Sequence, residues 1–143
     1  MKRLYRQQHL VDFMAVVMQF TRIKIKWSFF SDEAPDLKRA CWAFPLAGWL
    51  LGFVAGGLGQ ILILMDLPII LGCAIAIAFC IYLSGAYHED GLADMADGFG
   101  AGGDGRRISN IIHDSRLGTY GVSALSLAII VRILLVLSLI HIS

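Results

Sequence analysis

Cys41-Trp42-Ala43-Phe44-Pro45-Leu46-Ala47-Gly48-Trp49-Leu50-Leu51-Gly52-Phe53-Val54-Ala55-Gly56-Gly57-Leu58-Gly59-Gln60-Ile61-Leu62-Ile63-Leu64-Met65 contains no charged side chain. Neither does the stretch from Leu67 to Tyr87, and Asp66 alone separates the two. A helix crosses the hydrocarbon core with about 20 apolar residues, so each stretch is long enough to span. Asp66-Leu67-Pro68 then reads as the tight turn of a helical hairpin. A third apolar run, Thr119 to Ile140, is broken only by Arg132. The expected fold is all-α: a polytopic integral membrane bundle with about three spans, at 41–65, 67–87 and 119–140 of a single domain covering 1–143. Residues 1–39 read as cytoplasmic or interfacial. Residues 88–118 read as a cytoplasmic acidic loop and helix.

Working outward, the apolar patch Leu10 to Phe20 is too short to cross and contains Asp12 and Gln19. It reads as an interfacial or re-entrant amphipathic helix. Lys2, Arg3, Arg6, Arg22, Lys24, Lys26, Lys38 and Arg39 precede the first span, and Arg106, Arg107 and Arg116 lie between the second and third. The turn at Asp66 has no basic residue, so the positive-inside rule puts the N-terminus and the 88–118 segment in the cytoplasm. Arg132 must face protein or snorkel, because an isolated charge at mid-bilayer is costly.

Composition agrees. The chain is 57% hydrophobic and 16% charged, against roughly 45–50% and 25% for a soluble domain. Disorder is excluded by the hydrophobicity. A disulfide-stapled secreted module is excluded by three cysteines, too few and odd in number. A net charge of +1 gives no footprint for a nucleic acid. Cys41, Cys73 and Cys80 read as reduced apolar fillers. Gly48, Gly52 and Gly56 form a smooth strip on the first span where a neighbouring helix can approach. The chain stops inside apolar sequence at Ile140-His141-Ile142-Ser143, which reads as a C-terminally truncated frame.

The chemistry is concentrated after the second span. Of eleven acidic residues, Glu89, Asp90, Asp94, Asp97, Asp104 and Asp114 fall in this one segment. Taken as a helix at about 100° per residue, Asp90, Asp94 and Asp97 share one face within roughly 60°, while Glu89 points elsewhere. Three carboxylates on one face without lysine partners repel one another unless a cation sits among them. Hard oxygen donors suit Mg2+, Mn2+ or Ca2+, and Mg2+ commonly combines one or two carboxylates with substrate phosphate. The blander alternative is a solvated acidic loop. His88 is open to three roles: general base, ligand or phosphate donor.

A second polar cluster follows at His113-Asp114-Ser115-Arg116-Leu117-Gly118-Thr119-Tyr120-Gly121. Arg116 offers a planar fork for phosphate, with Ser115 and Thr119 adding hydroxyls. Alternatively Asp114 caps a helix and Arg116 anchors the membrane edge. The glycine-rich 98–105 stretch lacks a Walker lysine and is no P-loop. It reads as a flexible connector or a lid. Arg22, Lys24 and Lys26 alternate with apolar residues and suit phosphate or anionic lipid.

At these residues the chain resembles a known family. His88-Glu89-Asp90-Gly91-Leu92-Ala93-Asp94-Met95-Ala96-Asp97-Gly98 is similar to the HxDGLADxxDG signature of the cobalamin synthases, the adenosylcobinamide-GDP ribazoletransferases. Asp114 to Gly121 resembles the family's DSRxGTxG segment. Phe20-Thr21-Arg22 and Phe44-Pro45-Leu46-Ala47-Gly48 match its FTR and FPxxG elements, in the family's order. The family's proline after FTR is replaced here by Ile23-Lys24-Ile25-Lys26, and family members are markedly longer.

The resemblance implies a multi-pass enzyme of the bacterial inner membrane. It would join adenosylcobinamide-GDP to α-ribazole or its 5′-phosphate and release GMP, with Mg2+ as cofactor. On that basis Asp90, Asp94 and Asp97 are the expected metal ligands, and His88, Asp90 and Asp94 the catalytic groups. Arg22, Asp114, Ser115, Arg116 and Thr119 are the expected substrate contacts. The expected partners are these small molecules, the bilayer, and a second copy or other cobalamin-assembly enzymes. A CDP-alcohol phosphotransferase is the nearest rival, but position 94 is Asp where its DGxxAR pattern needs Arg. A cation transporter is the rival of another class, and neither charge-free span supplies it with an intramembrane acid.

Overall fold

A computed structural model describes residues 2–24, 26, 35–114 and 116–142. Every regular element among them is helical. Helix α1 covers Lys2–Phe20, and a 3-10 turn at Arg39–Ala43 leads into α2, Phe44–Leu64. Then come α3 (Ile69–Ser84), α4 (Tyr87–Ala101), α5 (Gly105–Ile112) and α6 (Thr119–Ile142).

The expected hairpin is present. Pro45 lies in the first turn of α2, where a missing N–H costs nothing. Asp66 turns the chain at φ 65 and Pro68 starts α3. The helices meet at Gly59 and Gly72: a Cβ on Gly59 would lie 2.9 Å from both the Ala76 Cβ and the Gly72 carbonyl oxygen. The strip at Gly48, Gly52 and Gly56 is not the contact, since a Cβ on any of the three would meet nothing within 4 Å. Four-residue spacing marks a smooth face, but here the two flanking glycines nearer the turn are used.

Among the described residues, two helices are long and apolar enough to cross a membrane: the one running Arg39–Leu64, and α6 over Thr119–His141. None of the most apolar window of α6 is buried against the rest of the chain. The expected span at 67–87 takes a different form. Helix α3 stops at Ser84, and the chain bends by 89° into α4. The stop is a Schellman-type cap, with Gly85 N–H donating to the Tyr82 carbonyl and Ala86 N–H to that of Ile81. Gly85 and Ala86 both have positive φ, at 70° and 60°. By length and composition, the α3–α4 pair would cross only as a broken span or a re-entrant loop. The 88–118 segment expected as loop and helix is mostly helix, with α4 beginning at Tyr87.

Helix α1 packs on the 3-10 turn and α2 through Val16, Val17, Ala40, Ala43 and Ala47. Buried Asp12 receives hydrogen bonds from Arg39 Nε and Nη2 at 3.0 and 2.8 Å. Thr21 closes α1 by donating to the Val17 carbonyl at 2.6 Å. The backbone N–H of Arg22 then donates to Leu83, tying this end to the end of α3. Helix α4 packs on α5 and α6, and α3 also meets α6. The glycines of the expected connector are close-contact sites. Gly98 faces Ile112 and Ile108 of α5, and Gly100 lies beneath the Tyr120 ring. Only Gly102 and Gly103 form the turn, at φ 63 and 119. All three cysteines are free thiols.

Candidate active site

Helix α4 distributes its polar side chains over three hollows. Asp90 and Asp94, one turn apart, line a hollow of about 440 Å³ whose facing wall carries Asp114 and Arg116. Asp97 opens instead on an adjacent hollow of about 260 Å³ with Thr119 and Tyr120, and Asp114 and Arg116 border both. His88 projects to the other side of α4. It stacks on Phe20 with ring centroids 6.0 Å apart and lines a third cavity, of about 480 Å³.

Asp97 stands apart from the other two expected metal ligands. Its carboxylate is buried, with Oδ2 accepting from Gly118 N–H at 2.7 Å and Oδ1 from Gly121 N–H at 2.8 Å. The first turn of a helix presents N–H groups without intrahelical acceptors, and the helix dipole favours an anion there. Asp97 thus serves as the cap of α6 from another helix. It also explains two glycines, because a Cβ on Gly118 or Gly121 would collide with this carboxylate. The two polar segments of the sequence are joined at this point.

Asp114 and Arg116 form an exposed ion pair. Arg116 Nε donates to both Asp114 oxygens at 3.1 and 3.0 Å, and Nη2 to Oδ2 at 2.6 Å. The Arg116 backbone N–H adds a further bond to Asp114 Oδ1 at 3.1 Å. One edge of the guanidinium is thereby fixed, while the side chain stays 88% exposed and turns its other donors outward. Hydrogen bonds from the Arg116 side chain hold the Asp114 carboxyl below the ordinary value of 3.8. A depressed folded pKa means that the pair's contribution is present above the unfolded value and lost as pH falls through the folded one. A carboxyl-carbon NMR titration should place the Asp114 midpoint below 3.8, and Arg116→Ala should move it upward.

Arg22 and Thr119 are not gathered here. The Arg22 guanidinium carbon lies 5.0 Å from the centroid of the Tyr82 ring, beside the corner at Gly85. Thr119 belongs to the smaller hollow with Asp97. Ser115 lies outside the described residues, as do Ile25 and Trp27 of the basic stretch. His88 also stands apart: it lines the 480 Å³ cavity and not the hollow of Asp90 and Asp94.

Among the described residues, no three His, Cys, Asp or Glu side chains form a group able to hold a metal ion by themselves. The donors that remain still fit Mg2+. That ion seldom occupies an all-protein cage; it takes one or two carboxylates and completes its octahedron with water and substrate phosphate. Asp90 and Asp94 supply two hard oxygen donors opening into one hollow, and Arg116 borders the space where phosphate would complete the shell.

Glu89 was not among the expected site residues. It is buried, and its Oε1 accepts from Arg132 Nη1 at 2.5 Å, pairing α4 with the middle of α6. This is the partner that the lone charge of the third apolar run requires. Glu89 Oε2 is also buried and has no hydrogen-bond partner among the described residues. Glu89 lines both the 480 Å³ cavity and the 440 Å³ hollow.

An all-helical protein with membrane-length apolar helices and an acidic, arginine-bordered hollow at a helix corner is the class that fold and site define. Residues 12–142 match the family model described as cobalamin-5-phosphate synthase. The chain belongs to that family. It is 38% identical over 136 residues to an adenosylcobinamide-GDP ribazoletransferase of Azorhizobium caulinodans, covering 94% of this chain and 52% of that protein. Relatives of the same name in Ralstonia pickettii and Bradyrhizobium diazoefficiens are 40% and 44% identical, over 88% and 68% of this chain and 49% and 38% of theirs. The chain therefore spans about half the length of the curated relatives it matches. No solved structure matches it.

Proposed function

We propose that this chain carries the phosphate-handling part of a Mg2+-dependent ribazoletransferase of the bacterial inner membrane, with α4 at the cytoplasmic face. In the reaction, adenosylcobinamide-GDP and α-ribazole or its 5′-phosphate would be joined and GMP released. The observation that carries this reading is the convergence of Asp90, Asp94, Asp114 and Arg116 on one open hollow of about 440 Å³.

Asp90 and Asp94 would hold Mg2+, which when bound supplies charge neutralisation on the diphosphate and the departing phosphate. Arg116 directs its outward donors at non-bridging oxygens, and Asp114 keeps that fork in place. Asp97 fixes the start of α6 and so the position of the loop bearing Arg116. The acceptor hydroxyl attacks phosphorus, the bond to GMP breaks, and a carboxylate of the hollow takes the proton. Positioning and electrostatics then carry most of the catalysis.

The test is the 143-residue chain in lipid nanodiscs with adenosylcobinamide-GDP and α-ribazole. Mg2+-dependent binding of the first and release of GMP are expected. Release of CMP from a CDP-alcohol in place of GMP overturns the reading in favour of the alcohol phosphotransferases. Metal uptake into proteoliposomes without any phosphorylated substrate overturns it in favour of a transporter.

A further inference from the structure

Glu89, Ala93 and Asp97 follow one another at four-residue spacing, and all three are buried. Residues so spaced share one face of a helix, and this face lies on α6. Glu89 accepts from Arg132, and Asp97 accepts from Gly118 and Gly121. Between them, a Cβ on Gly121 would stand 3.0 Å from the Ala93 carbonyl oxygen. The two helices therefore run antiparallel, with a charged contact at each end of the stripe. Asp90 and Asp94 are the next residues along the chain, about 100° round the helix from Glu89 and Ala93.

A helix held at one point can still turn about its own axis. Contacts at Glu89 and Asp97, about 12 Å apart along that axis, stop the turn. Glu89 acts through its contact and not as a donor to the hollow. Its Oε1 is held by Arg132 Nη1, and its Oε2 is buried with no hydrogen-bond partner among the described residues. A buried carboxylate is costly unless paired, and so is a lone arginine along a span. Each of the two charges therefore fixes the other.

We propose that the Glu89–Arg132 pair is a positioning device for the cation site: it sets the rotation of α4 and thereby aims Asp90 and Asp94 into the hollow they share. The inference rests on the functional reading above and adds two positioning residues to it.

Removing one partner leaves the other charge unpaired, so a single truncation tests folding before it tests aim. The informative variant is Glu89→Met with Arg132→Met. It removes both charges, leaves the net charge beside the hollow unchanged, and is of the kind that folds as well as the ion pair it replaces. The full chain in nanodiscs is titrated with Mn2+, a hard stand-in for Mg2+, in the presence of inorganic pyrophosphate. Electron paramagnetic resonance reads the bound ion, and a thermal midpoint is measured beside it. The double variant is expected to melt close to the wild type and to bind Mn2+ about tenfold more weakly, the usual cost of losing a group that orients a metal ligand. Arg132→Lys keeps the charge and the single donor that this contact uses, and it should bind Mn2+ as the wild type does. Glu89→Asp keeps both charges and shortens the reach by one carbon, and it should bind more weakly. Wild-type Mn2+ affinity in the double variant overturns the proposal and leaves the cation site standing. Should the double variant unfold, wild-type affinity in Glu89→Asp overturns it equally. A wild type that binds no Mn2+ removes the functional reading, and this proposal with it.

Discussion

Asp94→Ala is expected to lower Mg2+-dependent GMP release about a hundred- to a thousand-fold, the usual cost of removing one electrostatic stabiliser from a transferring group. Helix content and membrane insertion should not change. The expectation separates chemistry from folding because Asp94 is half-buried on the wall of the hollow. Alanine there removes a ligand and a like-charge neighbour of Asp90, and it favours the helix. Circular dichroism and protease protection should match the wild type. Turnover within threefold of wild type would remove Asp94 from the metal set.

Asp97→Ala should act in the opposite way and cost stability first. Two backbone N–H groups at the start of α6 lose a charged acceptor 2.7 and 2.8 Å away. Hydrogen bonds to a charged group contribute about 1.5–3 kcal/mol each, so the loss is about 3 kcal/mol or more. Folded domains have only about 5–15 kcal/mol in total. Asp97→Asn keeps one acceptor oxygen and should fall between alanine and wild type. Denaturant titration in micelles, followed by Tyr120 fluorescence or by amide exchange at Gly118 and Gly121, reads the difference. Equal midpoints for the three proteins would show that the carboxylate does not hold α6.

The hairpin, the third span and the acidic helix were legible because each rests on a one-dimensional property. Charge-free runs of membrane length, the placing of Asp66 before Pro68, and the spacing of Asp90 and Asp94 survive without knowledge of tertiary partners. Arg132 was legible as a charge in need of company, though nothing local named Glu89. The corner at Gly85-Ala86 was not legible, since the charge-free run continues through it to Tyr87 and only backbone geometry ends α3 at Ser84. The division of the aspartates escaped for a related reason. Helical periodicity puts Asp97 with Asp90 and Asp94, and it cannot see that the start of α6 lies against that position. A signal was present: Gly118 and Gly121 sit at the places where a side chain would strike a carboxylate. His88 shows the converse, a motif residue whose distance in sequence from Asp90 is small and whose face is different.

The 89° corner has a consequence for depth. Along a helix parallel to the bilayer normal, each residue lies about 1.5 Å deeper than the last, so its titratable groups sample a steep dielectric gradient. Set α3 on that normal, and the whole of α4 lies along a single contour of it. Asp90 and Asp94, one turn apart on the wall of one hollow, then feel the same surface potential. Replacing neutral headgroups with anionic ones should move their apparent cation affinity as a set rather than one by one.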